Sequence, residues 1–249
     1  MPHNYAKKVP GEDPRDFDTT SCTQSAYKDR IHRDYAAHFF RWGFTQRFIR
    51  NGMMVLDIGC GSDQPVPRTL TDKMSAVPKQ YVGVDFDAVK QRNHFAWIDI
   101  IPSFDFTKSW KTLLTKYGQF DVLVSLEVIE HMHKASGRKL LRGAHALMKD
   151  DGVFLLSTPC YDGRRMAKNH IHEYWIKELE TEIVKAGFVV EGRYGTFMDV
   201  KELKKATPEH RKVAAELSKY YSNEIISCFL APLYPDVSRN NIWVLRKPQ

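Results

Sequence analysis

Two groups of residues have the types and spacing to do chemistry. The first is Glu127-Val128-Ile129-Glu130-His131, followed downstream by Ser157-Thr158-Pro159-Cys160 and Asn169-His170-Ile171-His172-Glu173-Tyr174. Glu127, Glu130 and His131 stand at i, i+3 and i+4, so a helical turn would place all three on one face. Two carboxylates and an imidazole gathered there suit a hard divalent metal or acid–base work. A capped helix end with surface histidines would carry the same residues, and spacing alone leaves both readings open. The second group is Asp57-Ile58-Gly59-Cys60-Gly61, with Asp85 about 24 residues after Gly61. The glycines allow a sharp turn that brings backbone N–H groups against a ligand, and an acid at that spacing can accept both hydroxyls of a ribose.

These residues must be held by strands and helices, and the two alternate along the chain. Strands are predicted at Met53 to Ile58, Tyr81 to Val84, Phe95 to Ile98, Asp121 to Leu126, Val153 to Ser157, Phe188 to Tyr194 and Asn241 to Leu245. Helices fall between them at 66–75, 108–117, 136–148 and 176–186, the last stopped by Gly187. That alternation predicts an α/β fold, a mostly parallel sheet with helices on both faces. Asp57, Asp85 and Glu127 then lie at the carboxyl ends of strands, the edge where such sheets bind ligands.

Ahead of the sheet, 1–24 reads as a polar arm. A helix over 27–50 follows, with Ala36, Phe40, Phe44 and Phe48 on its apolar stripe and Arg33, Arg41, Arg47 and Arg50 on a solvated face. A charged stretch at about 196–240, with a helix at Pro208 to Tyr221, interrupts the rhythm before the last strand and is placed for substrate selection. Residues 25–249 are thus expected to form one domain. The 249 residues are 43% apolar and 12% aromatic, enough for a full core. No apolar run approaches the roughly 20 residues of a membrane span, and no apolar signal core starts the chain. Cys22, Cys60, Cys160 and Cys228 show no disulfide or zinc spacing. Together these imply a soluble cytoplasmic protein with no membrane partner. The net charge of +7 favours an anionic partner or merely a soluble surface.

A glycine turn alone would also fit a dinucleotide-binding fold, but that fingerprint asks for a third glycine where this chain has Gln64. The ordered set Asp57-x-Gly59-x-Gly61, Asp85 ending the second strand, and Phe120-Asp121-Val122-Leu123-Val124-Ser125 resembles class I S-adenosylmethionine (SAM)-dependent methyltransferases. The resemblance covers roughly residues 50–195. It implies a Rossmann-like sheet of seven strands, the last antiparallel. It places Asp57, Gly59, Cys60 and Gly61 by the methionine part of SAM and Asp85 on the ribose, with Phe86 and Leu126 also at the cofactor. An acid after the third strand, Asp99 or Asp105, would meet the adenine.

The Glu127 to His131 motif, the Thr-Pro turn and the Asn-His-x-x-Glu-Tyr segment resemble two O-methyltransferase groups. These are the ubiquinone-biosynthesis enzymes, which act on catechols, and the small-RNA 2′-O-methyltransferases, which use a divalent metal on terminal ribose hydroxyls. Carried over, the resemblance implies Glu127, Glu130, His131 and His170 as ligands of Mg, Mn or Co, with His172 a spare. Cys160 stands where the small-RNA family has asparagine. Without metal, His131 would act as general base. The expected activity is methyl transfer to an oxygen, less readily a nitrogen, of a small-molecule or nucleotide acceptor. RNA ribose 2′-O-methylation and a non-catalytic SAM- or nucleic-acid-binding subunit are the alternatives. Cys160 also permits attack on a pyrimidine ring, although a buried small residue is the plainer reading. Arg164, Arg165 and Lys168 would border the acceptor and could hold a phosphate or carboxylate.

Overall fold

The computed structural model describes residues 33–70, 76–92, 95–164 and 166–249. The expected arm, Cys22, the start of the first helix, the end of the helix expected at 66–75, and Arg165 lie outside them. The described residues divide into two compact units, one of 41–193 with 240–249 and one of 33–40 with 194–239. The sequence reads as one domain with a late insertion, and that insertion falls almost wholly in the second unit.

Seven strands form one sheet in the order β3-β2-β1-β4-β5-β7-β6. They are β1 (Met54–Ile58), β2 (Gln80–Val84), β3 (Ile98–Ile101), β4 (Phe120–Leu126), β5 (Met148–Pro159), β6 (Val189–Met198) and β7 (Ser238–Arg246). β1 pairs in parallel with both β2 and β4, β4 in parallel with β5, and β5 antiparallel with β7. β1 and β4 are therefore neighbours whose chains leave in opposite lateral directions, which opens a crevice at their carboxyl ends. Their apolar runs are buried because both faces are covered. Leu56, Val82, Leu123, Phe154, Leu156 and Trp243 form the centre of that core.

Helices α2 (Pro65–Thr69), α3 (Phe106–Tyr117), α4 (Lys134–Leu147) and α5 (Ile176–Lys185) link the strands, after α1 (Arg33–Gln46). α3 starts two residues before the expected position because Asp105 caps it, accepting from Thr107 N–H at 3.0 Å. α5 stops as expected at Gly187, whose φ of 97° suits glycine. β3 begins where the expected strand ends. Phe95 and Trp97, strand-like in type, instead stack on each other at 5.7 Å before it, with Phe95 about half exposed.

The second unit has its own small core of Met198, Leu203, Ile226, Leu230 and Ala231. It holds α6 (Pro208–Leu217) and α7 (Asn223–Leu230). α6 lies within the charged stretch, in which Lys205 pairs with Glu202 ahead of the helix and Lys219, just past its end, pairs with Glu216. α7 is not apparent in the sequence pattern. No helix among the described residues is long and apolar enough to cross a membrane.

Candidate active site

The turn after β1 is shaped by what its glycines permit. Gly59 and Gly61 have φ of 80° and 70°, in the left-handed region. A side chain at Gly59 would place its Cβ 2.4 Å from Val128, whereas Gly61 faces open space. The first contact seats the turn directly against the segment after β4. Gly59 and Cys60 N–H both donate to Val84 O, and Gly61 N–H donates to Asp85 Oδ2 at 2.8 Å. Asp87 N–H takes Asp85 Oδ1 at 2.9 Å, so the Asp85 carboxylate is aimed while each oxygen keeps a lone pair. Next to it Phe86 is three-quarters exposed, an uncovered aromatic face beside Asp85.

Asp57 lies beneath the turn, 3% exposed, and accepts from the Tyr81 hydroxyl at 2.6 Å. Burial pushes its carboxyl up to about 7; the Tyr81 hydrogen bond opposes that and the Asp85 charge adds to it. Cys60 is buried and its thiol is also pushed up by burial, which disfavours the thiolate. Of the two acids considered for adenine, Asp99 is engaged by Tyr117 and Lys116 in the last turn of α3. Asp105 sits at the other end, roughly 18 Å along the helix. There Phe104 N–H donates to Asp85 O. Of the two, Asp105 is the one beside Asp85 at the carboxyl edge of the sheet, and its carboxylate is taken up by Thr107 and Lys108.

The segment after β4 departs from the expected helical face. Glu127 has φ of 59°, and a short 3₁₀ turn spans Ile129–His131 instead of an α-helix. Glu127 is not among the ligand atoms that gather with those of Glu130 and His131. Its oxygens accept from Ser157 Oγ at 2.7 Å and Asn240 Nδ2 at 2.6 Å, with Arg41 Nε at 3.9 Å. Arg41 itself is 2% exposed, not on a solvated face, because its guanidinium is directed at this carboxylate.

Glu130, His131 and His170 come together, with one ligand atom of each within 4.8 Å of the others. Glu130 is 1% exposed; Oε2 accepts from Thr158 Oγ1 at 2.9 Å, while Oε1 has no hydrogen-bond partner. Burial, and then the Glu127 charge, hold its carboxyl well above the usual range. His131 Nδ1 is 3.0 Å from Asn169 O, a pure acceptor, so Nδ1 carries the proton and Nε2 keeps its lone pair, 3.9 Å from Glu130 Oε1. The His170 ring stands edge-on to His131 with centroids 5.0 Å apart. Ile171 and His172 N–H both donate to Glu130 O, tying this loop to the turn.

A glycine turn, a ribose-type acid and a carboxylate–histidine cluster thus meet at the carboxyl edge of β1, β2 and β4. Residues 28–209 match the family model of the methyltransferase domain. The chain belongs to this family, the class I methyltransferases. Over 134 residues the chain is 33% identical to the ubiquinone biosynthesis O-methyltransferase of Ruegeria pomeroyi, covering 52% of this chain and 50% of that one. It spans about half the length of that curated relative. A SAM-dependent methyltransferase from Archaeoglobus fulgidus shares the fold with a TM-score of 0.58 at 15% identity, over 92% of this chain and all of the other. The [4+2]-cyclase SpnF does so with a TM-score of 0.53 at 16% identity, over 83% of this chain and 79% of that one. At these identities the likeness is one of fold, and the cyclase shows that the fold hosts more than one chemistry.

Leu126 ends β4, paired with Ser157. His172 is drawn to Glu178 at 3.2 Å and packs edge-on to Tyr174, apart from the cluster. Cys160 is buried and accepts from Asn241 Nδ2 at 3.1 Å. Cys60, Cys160 and Cys228 are all buried. Arg164 pairs with Asp162 in its own loop. The contacts of Tyr81, Arg41 and Asn240 are visible only in the structure, because their partners Asp57 and Glu127 lie far away in sequence. Thr158 and Glu173 stand in local motifs, the Thr-Pro turn and the Asn-His-x-x-Glu-Tyr segment.

Proposed function

We propose that the chain transfers the methyl group of SAM to a hydroxyl oxygen of an acceptor carrying two adjacent hydroxyls, a catechol or a terminal ribose. The carrying observation is His131: its Nδ1–H is spent on Asn169 O, which leaves a basic Nε2 beside Glu130 at the strand edge that faces the cofactor turn. The O-methyltransferase from Ruegeria pomeroyi supports oxygen as the acceptor atom.

Bound SAM supplies a methyl group on a sulfonium, which leaves as a neutral thioether. The residues present fit it. Gly61 faces open space, Asp85 offers aimed lone pairs for ribose hydroxyls, and Phe86 offers an uncovered ring. Asp57, Gly59, Cys60, Gly61, Asp85 and Phe86 would hold it, with Leu126 and Asp105 at its border. Without a metal, His131 Nε2 would accept the proton released as the acceptor oxygen takes up the methyl carbon. The unpartnered, buried Glu130 Oε1 fits a cation, and Glu130, His131 and His170 would hold Mg, Mn or Co. Such an ion lowers the pKa of a bound hydroxyl. Glu127 supports this set from behind, through Ser157, Asn240 and Arg41.

Labelled-methyl SAM is incubated with a catechol, the corresponding monohydroxy phenol, an RNA ending in a free cis-diol, and the same RNA after periodate oxidation. Transfer is expected to a diol and not to its one-hydroxyl or oxidised counterpart. His131→Ala should lower kcat by about 10²–10⁴-fold while SAM still binds. Transfer only to amines overturns the oxygen assignment, and SAM binding without transfer to any acceptor points to a non-catalytic subunit.

A further inference from the structure

The two histidines of the cluster are held differently, and the difference assigns a role to Glu173. His131 gives its Nδ1–H to a neutral backbone carbonyl, Asn169 O. His170 Nδ1 is instead 2.6 Å from Glu173 Oε1, and the Glu173 side chain is only 2% exposed. An ionised carboxylate can only accept, so this contact puts the imidazole proton on Nδ1 and leaves Nε2 as the nitrogen with a lone pair to give. The loop geometry makes this contact specific. The Ile171 and His172 N–H bonds to Glu130 O fix the chain between His170 and Glu173, and the His170 ring stands edge-on against His131.

We propose that Glu173 is a positioning residue, holding His170 as the Nδ1–H tautomer so that Nε2 completes the acceptor set formed with Glu130 and His131. The proposal rests on reading that set as the metal- or proton-binding site. A carboxylate behind a ligating imidazole fixes the ring and raises its basicity more than a carbonyl does. His170 is accordingly the more firmly held ring of the pair and His131 the more exposed one.

The test uses the full chain at neutral pH. Long-range ¹H–¹⁵N correlation of the histidine rings reads the tautomer, and titration with Co²⁺ reads affinity and ligand-field absorption. In the wild type, His170 is expected to carry its proton on Nδ1. In Glu173→Ala the proton moves to Nε2, Co²⁺ affinity falls about 10–100-fold, and His131 stays an Nδ1–H tautomer. Glu173→Gln keeps an acceptor oxygen without the charge and should retain the tautomer with an intermediate affinity. A wild-type His170 found with its proton on Nε2 overturns the proposal without any variant. Persistence of the Nδ1–H form in Glu173→Ala overturns it too. Loss of that form in Glu173→Ala, in a protein whose wild type binds no Co²⁺, supports the positioning role and removes the metal reading instead.

Discussion

At the scale of single residues, Asp57 links the cofactor turn to stability. Its carboxyl titrates near 3.8 in an unfolded chain and at about 7 in the fold, mainly because it is buried. Between these values the native state holds a proton that the unfolded chain has released. Stability from this group is therefore fully present below about pH 4 and falls as pH rises to about 7, by on the order of 4 kcal/mol. Asp57→Asn should abolish that slope and raise the denaturation midpoint of the SAM-free protein at pH 8, while weakening SAM binding. Urea unfolding at pH 5 and pH 8 checks this, and an unchanged slope in the variant would refute it. Asp57 and its neighbouring glycines were legible in the sequence because a strand end and a turn are local. Tyr81, which donates to Asp57, was not, since nothing local shows that a residue in the next strand turns its hydroxyl toward the first. Arg41 was misread for the same reason: its partner Glu127 is 86 positions away, and helix periodicity alone sends an arginine to solvent.

The elements show the same division between local and distant causes. β1, β2 and β4 were readable as apolar runs bounded by turns, because strands covered on both faces need nothing else. β3 was placed early since Phe95 and Trp97 resemble strand residues, while the pairing of Ile98 with Tyr81 that sets its start is a tertiary fact. The helical face expected for Glu127, Glu130 and His131 failed because Glu127 adopts a left-handed conformation and breaks the periodicity at its first member. Two predictions belong here. Glu182 of α5 is clamped by Arg138 Nε and Nη2 of α4 at 2.7 and 2.8 Å, which holds its carboxyl down to about 2. Its contribution is present above about pH 4.5 and is lost as pH falls toward 2. Glu182→Gln should lower the melting temperature at pH 7 and leave it nearly unchanged at pH 2.5 by calorimetry. In the second unit a Cβ at Gly195 would lie 2.1 Å from Ser238 Oγ and 2.4 Å from Ala231 O. A backbone oxygen cannot swing aside, so Gly195→Ala should cost about 1–3 kcal/mol or more and open 194–239 to limited proteolysis.

For the whole molecule, the question is which adenosine cofactor the sheet edge accepts, and the answer lies where the third glycine of a dinucleotide fingerprint would be. Gln64 occupies that place with φ of 47° and is fully buried. Its side chain donates to Lys90 O at 2.6 Å and accepts from Arg92 N–H at 3.0 Å, stitching the turn to the chain after β2. A dinucleotide fold uses its third glycine for close helix–strand packing and seats the pyrophosphate at the helix N-terminus. Here a pinned glutamine precedes a helix that begins Pro65-Val66-Pro67 and so lacks two of its first N–H donors. Pyrophosphate recognition is thereby disfavoured, whereas SAM has no phosphate to place. At a concentration 100-fold above its Kd, SAM should add about 2.7 kcal/mol, a rise of roughly 5–10 °C in a chain of this size. NAD⁺ at equal concentration should add none, and Asp85→Ala should erase the SAM shift by removing the ribose acceptor. Thermal melts of the wild type and Asp85→Ala with each cofactor decide it. A shift with NAD⁺ that matches SAM would return the turn to the dinucleotide class despite Gln64.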